Sequence, residues 1–189
     1  MHDQFTAYIR NEIRVSDKEL SKILSYFKPC TVKKNEFLLN QGQVNDHINF
    51  VITGCLRIFF IDEKGEDATR YFAFENNFAT ALVSFISQEP SLEYVQALED
   101  TRFLYITRKD FHYLLETVPN WEKFYRHYLE SAYTTNTNRL MSFITMNAQE
   151  RYVQLLTHNP KIIQRLPNKI VANYLNISQE TLSRLKSKI

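Results

Sequence analysis

The chain has 189 residues, 44% of them hydrophobic and 14% aromatic, enough to bury a core and to fill one large or two small domains. It contains no run of about 18 apolar residues and starts on the polar MHDQF, so a cytoplasmic protein without span or signal peptide is expected. Cys30 and Cys55 stand alone, which argues against a disulfide framework and leaves zinc or an iron–sulfur cluster short of ligands.

The net charge of +2 conceals an asymmetry. From Arg139 onward eight Lys/Arg face only Glu150 and Glu180, a local +6, whereas the first 138 residues carry 15 basic against 19 acidic groups, a local −4. A basic end behind an acidic body suits a C-terminal part that meets a polyanion, although a merely solvated basic surface would give the same count.

Helical spacing opens the chain with Phe5, Tyr8 and Ile9. Ser16-Asp17-Lys18-Glu19 then reads as a capping box ahead of Leu20, Ile23, Leu24 and Phe27, with Pro29 as the stop. From Cys30 to Thr107 the pattern changes to short runs of β-branched and aromatic residues. Strands are predicted near 30–33, 36–39, 49–53, 55–61, 69–74, 94–97 and 103–107, which together suggest a small antiparallel barrel or roll. All three glycines fall here, with Gly54 between two strong runs and Gly65 in a predicted hairpin turn.

Thr107 and Asp110 start a helix that breaks at Pro119. The stretch from Asn120 to Met146 contains neither Gly nor Pro and predicts a helix of roughly 40 Å. Its apolar spacing makes it a candidate dimer seam through Tyr125, Tyr128, Leu129, Ala132, Asn136, Leu140 and Phe143, while an aromatic face packed on the roll accounts for its first half equally well. A helix around 148–157 follows, ended by Asn159-Pro160, with a basic loop beyond it.

Pro167–Ile189 reads as two short helices around a tight corner at Asn176-Ile177. Ala172 permits close helix crossing, Asn176 tolerates the left-handed corner, and Ser178 is placed to cap the second helix. Leu182, Leu185 and Ile189 would face inward, leaving Gln179, Glu180, Ser183, Arg184 and Lys186 outward. Those side chains suit DNA: Arg forks onto guanine, Glu accepts from cytosine N4, and Lys meets phosphate. With Asn168, Lys169, Ser178 and Lys188 they form the candidate DNA-binding set. Any helical hairpin shows such apolar spacing, so pattern alone does not decide between DNA and a protein partner.

Taken together, LLNQGQVNDHINFVITGCLRIFFIDEKGEDATRYF, the helix from Pro119 and SQETLSRL resemble the bacterial Crp/Fnr transcriptional regulators over almost the whole length. The resemblance implies an α+β fold: a cyclic-nucleotide-binding-like β-roll (a jelly roll, or double-stranded β-helix) over 1–118, a central dimerisation helix over 119–146, and a helix-turn-helix over 147–189. It further implies a homodimer on a palindromic double-stranded DNA operator, with Glu180 and Arg184 reading bases, RNA polymerase as a further partner, and an effector site in the roll. Many members continue into a β-hairpin wing, so a short or absent wing is expected here.

The family's nucleotide site is altered. Where cyclic-AMP binders carry Gly-Glu after the aromatic, this chain has Phe78-Ala79-Thr80-Ala81-Leu82. Where they carry Arg-Ser it has Pro90-Ser91-Leu92-Glu93-Tyr94, and Glu93 would repel a phosphate that has lost its cation. Cyclic AMP is therefore not the expected effector. Phe78, Thr80, Leu82, Ser84, Phe85, Tyr94 and Gln96 would line either a pocket for a neutral or aromatic molecule or a cavity filled by their own rings. The histidines at 2, 47, 112, 127 and 158 offer no pattern for haem or metal, and no cofactor is expected. No Gly-rich phosphate loop, H-E-x-x-H or G-x-S-x-G occurs, which argues against an enzyme. The competing function is a ligand-sensing or scaffolding dimer that binds protein instead of DNA.

Overall fold

A computed structural model describes residues 2–187. Two helices open it, α1 (His2–Glu12) and α2 (Asp17–Tyr26), and the Ser16–Glu19 capping box is formed in both directions. Strands β1 (Lys28–Val32), β2 (Phe37–Leu39), β3 (His47–Thr53), β4 (Leu56–Ile61), β5 (Asp67–Ala73) and β6 (Phe78–Ala79) follow. Then come α3 (Leu82–Ser87), β7 (Tyr94–Ala97), β8 (Thr101–Thr107), α4 (Arg108–Thr117) and the 25-residue α5 (Trp121–Thr145). The chain ends in α6 (Ala148–His158), α7 (Pro160–Arg165), α8 (Asn168–Leu175) and α9 (Gln179–Lys186).

The strands form two four-stranded sheets in the orders β1-β8-β3-β6 and β2-β7-β4-β5. The β1–β8, β3–β8, β3–β6, β2–β7 and β4–β7 pairs are antiparallel. Non-consecutive neighbours make this a roll rather than a meander. Strand β3 shows how one sequence serves two cores. Ile48, Phe50 and Ile52 join Phe5, Ile9, Ile23, Phe111, Leu114 and Trp121 on the helix side, while Val51 joins Leu56, Ile58, Val95 and Ala97 in the other cluster. That is the period-two alternation of a strand buried on both faces.

Gly54 turns the chain between β3 and β4 at φ +101°, and a Cβ there would lie 2.8 Å from the Asp100 carbonyl oxygen. Only glycine fits that approach.

Four local expectations need correction. Pro29 does not end the second helix, which stops at Tyr26; it lies in β1 and pairs with Leu104. Because β1 is at the sheet edge, its missing N–H costs no ladder bond. The predicted basic loop after Pro160 is the helix α7, with that proline in its first turn, where no N–H is needed. The helix α3 and the two-residue strand β6 lie in a stretch to which no element was assigned, being too short for periodicity to register.

The chain divides into two compact units. One is Met1–Phe60 with Tyr71–Leu129; the other is Ile61–Arg70 with Glu130–Ile189. The end of the β4–β5 hairpin thus groups with the C-terminal helices.

Candidate functional site

In the second unit, α8 and α9 form a capped corner. Asn176 adopts the left-handed conformation (φ 53°, ψ 51°), and the Ile177 N–H donates to the Ala172 carbonyl at 3.0 Å. Ser178 caps α9, its hydroxyl accepting from the Thr181 N–H at 3.2 Å. Val171, Ala172, Leu175, Leu182 and Leu185 are buried on the inner side.

The opposite side of α9 is open. Ser178, Gln179, Glu180, Ser183 and Arg184 are exposed, as are Asn168 and Lys169 at the start of α8. Lys186 is half-buried and donates to Asn168 Oδ1 at 2.6 Å, which ties the two helices together at this face. Lys188 and Ile189 lie outside the described residues. A hydrogen bond from its own backbone N–H, then one from Ser178, then the nearby Arg184 charge hold the Glu180 carboxyl below its ordinary pKa. The Glu180 carboxyl is therefore ionised near neutrality and, four residues from Arg184, shares one helix face with it. An acceptor beside a fork of donors can recognise complementary hydrogen-bonding edges.

Polar contacts that local sequence could not reveal anchor this corner. Asn173 of α8 accepts at Oδ1 from the Thr69 N–H (2.9 Å) and hydroxyl (2.6 Å), and its amide donates to the Asp67 carbonyl. Arg139 of α5 donates from Nη2 to the Thr69 and Tyr174 carbonyls, both at 2.8 Å, and lies 3.8 Å over the Tyr174 ring. Arg151 of α6 reaches the Met146 and Leu175 carbonyls at 2.7 and 3.2 Å. Asn173, Arg139 and Arg151 are the residues that sequence reasoning missed. Their only sequence signal is a large polar group within an otherwise amphipathic helix.

The long helix α5 has a different exposed stripe from the one its spacing suggested. Tyr125 packs edge-on against Phe111 at 5.0 Å, and Tyr128 against Phe78 at 5.5 Å. Leu129 and Ala132 are half-buried within this chain, and Asn136 accepts from Arg70 at 3.3 Å. Phe143 is covered by the Arg139 and Arg151 guanidiniums, 4.8 and 5.1 Å from its centroid. Of the seven candidate seam residues, Leu140 alone is an exposed large apolar side chain (60%). It belongs instead to a stripe with Tyr133 (73% exposed), Met141 (49%) and Ile144 (69%).

Inside the roll, the candidate effector residues are engaged with one another and with the core. Phe78 and Phe85 belong to the helix-side cluster, Phe85 meeting Phe111 at 5.9 Å. Thr80 donates to the His47 carbonyl (2.8 Å) and accepts from Asn45 Nδ2 (2.6 Å). Ser84 donates to the Glu89 carbonyl (2.6 Å) and accepts from the Asn45 N–H (3.0 Å). Leu82 is half-buried in α3. On β7, Tyr94 stacks on Phe59 at 5.1 Å, and Gln96 donates to the Asn35 carbonyl at 3.1 Å. Asn45 thus joins Thr80 to Ser84, while Tyr94 and Gln96 work on the other sheet. Buried Arg57, its guanidinium 4.2 Å from the Phe59 centroid, was not singled out because it sits within the apolar run of β4.

The fold has counterparts in known proteins. Residues 29–118 match the family model of the cyclic nucleotide-binding domain. The chain is similar in structure to FixK2 from Bradyrhizobium japonicum, with a TM-score of 0.74 and 15% identity, covering 86% of this chain and 83% of that one. A protein from Eubacterium rectale assigned to the crp/fnr transcriptional regulators gives a TM-score of 0.69 at 15% identity, covering 90% and 82%. In fold, the chain is Crp/Fnr-like. The Thermus thermophilus catabolite activator protein gives 0.60 at 20% identity, covering 92% and 83%. No curated protein matches in sequence.

In this roll, residues at the altered nucleotide positions are engaged elsewhere. Thr80 and Ser84 already spend their hydroxyls on Asn45, His47 and Glu89, and Phe78 and Phe85 are committed to the core. The loop before β7 carries buried Glu93 where a phosphate would need a cation. No group of His, Cys, Asp and Glu among the described residues could hold a metal ion. No helix among them is long and apolar enough to cross a membrane.

Proposed function

We propose that the chain is a homodimeric, sequence-specific DNA-binding transcriptional regulator of the Crp/Fnr type. The proposed division of labour is a sensor roll over 1–118, a pairing helix over 119–146 and a helix-turn-helix over 147–189. The observation that carries this reading is α9: a helix fixed by Ser178, Asn176 and the buried Leu182 and Leu185, presenting Gln179, Glu180, Ser183 and Arg184 without burying them. Such a helix enters a major groove with Arg184 forked on guanine and Glu180 accepting from cytosine N4. Asn168, Lys169 and Lys186 then meet backbone phosphates, and the operator is a two-fold repeat because the protein is.

Pairing runs along Tyr133, Leu140, Met141 and Ile144, an exposed apolar stripe on the half of α5 nearest the DNA-reading helices in sequence. A two-fold contact of this kind is self-complementary, so each residue covers its own equivalent. The roll senses an effector other than cyclic AMP, or none, since the alterations around Phe78–Leu82 and Pro90–Tyr94 remove the groups a cyclic phosphate requires.

Selection of bound duplexes from a random pool tests the reading directly. Enrichment of a palindrome, lost with Arg184→Ala, is the expected result. A folded dimer that enriches no sequence but retains a protein partner through the α9 face would replace it with a scaffolding function.

A further inference from the structure

A concave site in the second unit has no role in reading DNA or in pairing. It lies among α5, α6 and α8, encloses about 320 Å³, and is lined by Arg139, Ser142, Phe143, Arg151, Gln154 and Tyr174, among others. That volume is at the lower end of small-molecule sites.

Its electrostatics are one-sided. No carboxylate lines it. The hydrogen bonds of Arg139 and Arg151 to Thr69, Tyr174, Met146 and Leu175 all end on neutral backbone carbonyls. Burial depresses the Arg139 pKa; the Tyr174 phenol opposes that shift, and the charges of Arg70 and Arg151 add to it, so the two guanidiniums that flank the site repel each other. They are held on a shared ring, 4.8 and 5.1 Å from the Phe143 centroid. The Nε of Arg151 is buried and has no acceptor. Paired cations without a counter-ion, one with an orphaned N–H, are costly unless an anion joins them. Guanidinium forks match phosphate oxygens, and the Phe143 and Tyr174 rings hold the two guanidiniums in place.

We propose that this cavity binds a small phosphorylated ligand up to the size of a mononucleotide, between Arg139 and Arg151. The site is open to solvent in a dimer paired through α5. Thr135, Asn138, Arg139 and Ser142 line it from one face of that helix, while Tyr133, Leu140 and Ile144 point to the opposite face at about 100° per residue. Since both arginines also hold the α8 corner, the ligand would stiffen the base on which the recognition helix stands.

Isothermal titration of the intact protein without DNA tests this, using adenosine monophosphate and inorganic pyrophosphate as probes and adenosine as the uncharged control. Saturable binding of at least one charged probe, with a raised Tm and no response to adenosine, is expected. Arg151→Gln should weaken that binding at least tenfold. Gln154→Trp, which fills the cavity from an exposed position and keeps both arginines, should do the same if Arg151→Gln fails to fold. No saturable binding of either charged probe at millimolar concentration overturns the proposal, and so does binding that survives cavity filling.

Discussion

One side-chain oxygen of Asn173 takes two donors from Thr69, the backbone N–H at 2.9 Å and the hydroxyl at 2.6 Å. The residues are 104 apart in sequence, and Thr69 is only 4% exposed. Asn173→Leu keeps the size of the side chain and removes the acceptor. A loss of roughly 1–3 kcal/mol is expected from the unsatisfied groups, read as a lower urea midpoint. An unchanged midpoint would mean that water replaces the amide at no cost.

The exposed stripe of α5 gives a test of pairing. Leu140→Asp with Ile144→Asp places charges where two copies would meet, and burial of each leucine-sized side chain is worth about 1.5–3 kcal/mol. Sedimentation should then report a 22.5 kDa monomer in place of a dimer. The variant should lose only the stability that pairing contributes, because neither residue is buried within its own chain. A variant that remains dimeric places the seam elsewhere.

On DNA the two classes of contact should separate. Arg184→Ala is expected to cost roughly 1–3 kcal/mol and to relax one operator position. Lys169→Ala should weaken all sequences alike and reduce the salt slope by about 1. Equal effects on cognate and random duplexes would remove Arg184 from base recognition.

Tyr8 supplies a pH dependence. Burial first, then the Glu12 and Tyr71 charges, push its phenol up to about 12 from 10.0. The folded state therefore holds the proton more tightly than the unfolded chain. This contribution is complete below pH 10 and is lost as pH rises toward 12. Tyr8→Phe should flatten that part of the stability curve; an identical decline in both proteins would show that Tyr8 does not contribute.

Legibility followed the range of the interaction. The Ser16–Glu19 box, the Asn176 corner and the Ser178 cap are local devices, and their residues stand at the predicted positions. The bounds of α5 were legible for the same reason, since no Gly or Pro interrupts it. Its exposed stripe was not. Trp121, Phe124, Tyr125 and Tyr128 pack within the chain, and carrying their spacing forward pointed to Phe143, which Arg139 and Arg151 cover. Asn173 and Thr69 are 104 residues apart, and the carbonyl partners of Arg139 lie 70 and 35 residues away; hydrogen bonds at such separations leave no periodic trace.

The Thr69–Asn173 contact joins an amide, a hydroxyl and a backbone N–H, none of which carries a formal charge. Ionic strength therefore acts unevenly on this molecule. If α9 reads DNA as proposed, salt that strips Arg184 and Lys169 from the polyanion displaces no counter-ion at Asn173, so affinity would be titrated away while the helix keeps its foundation.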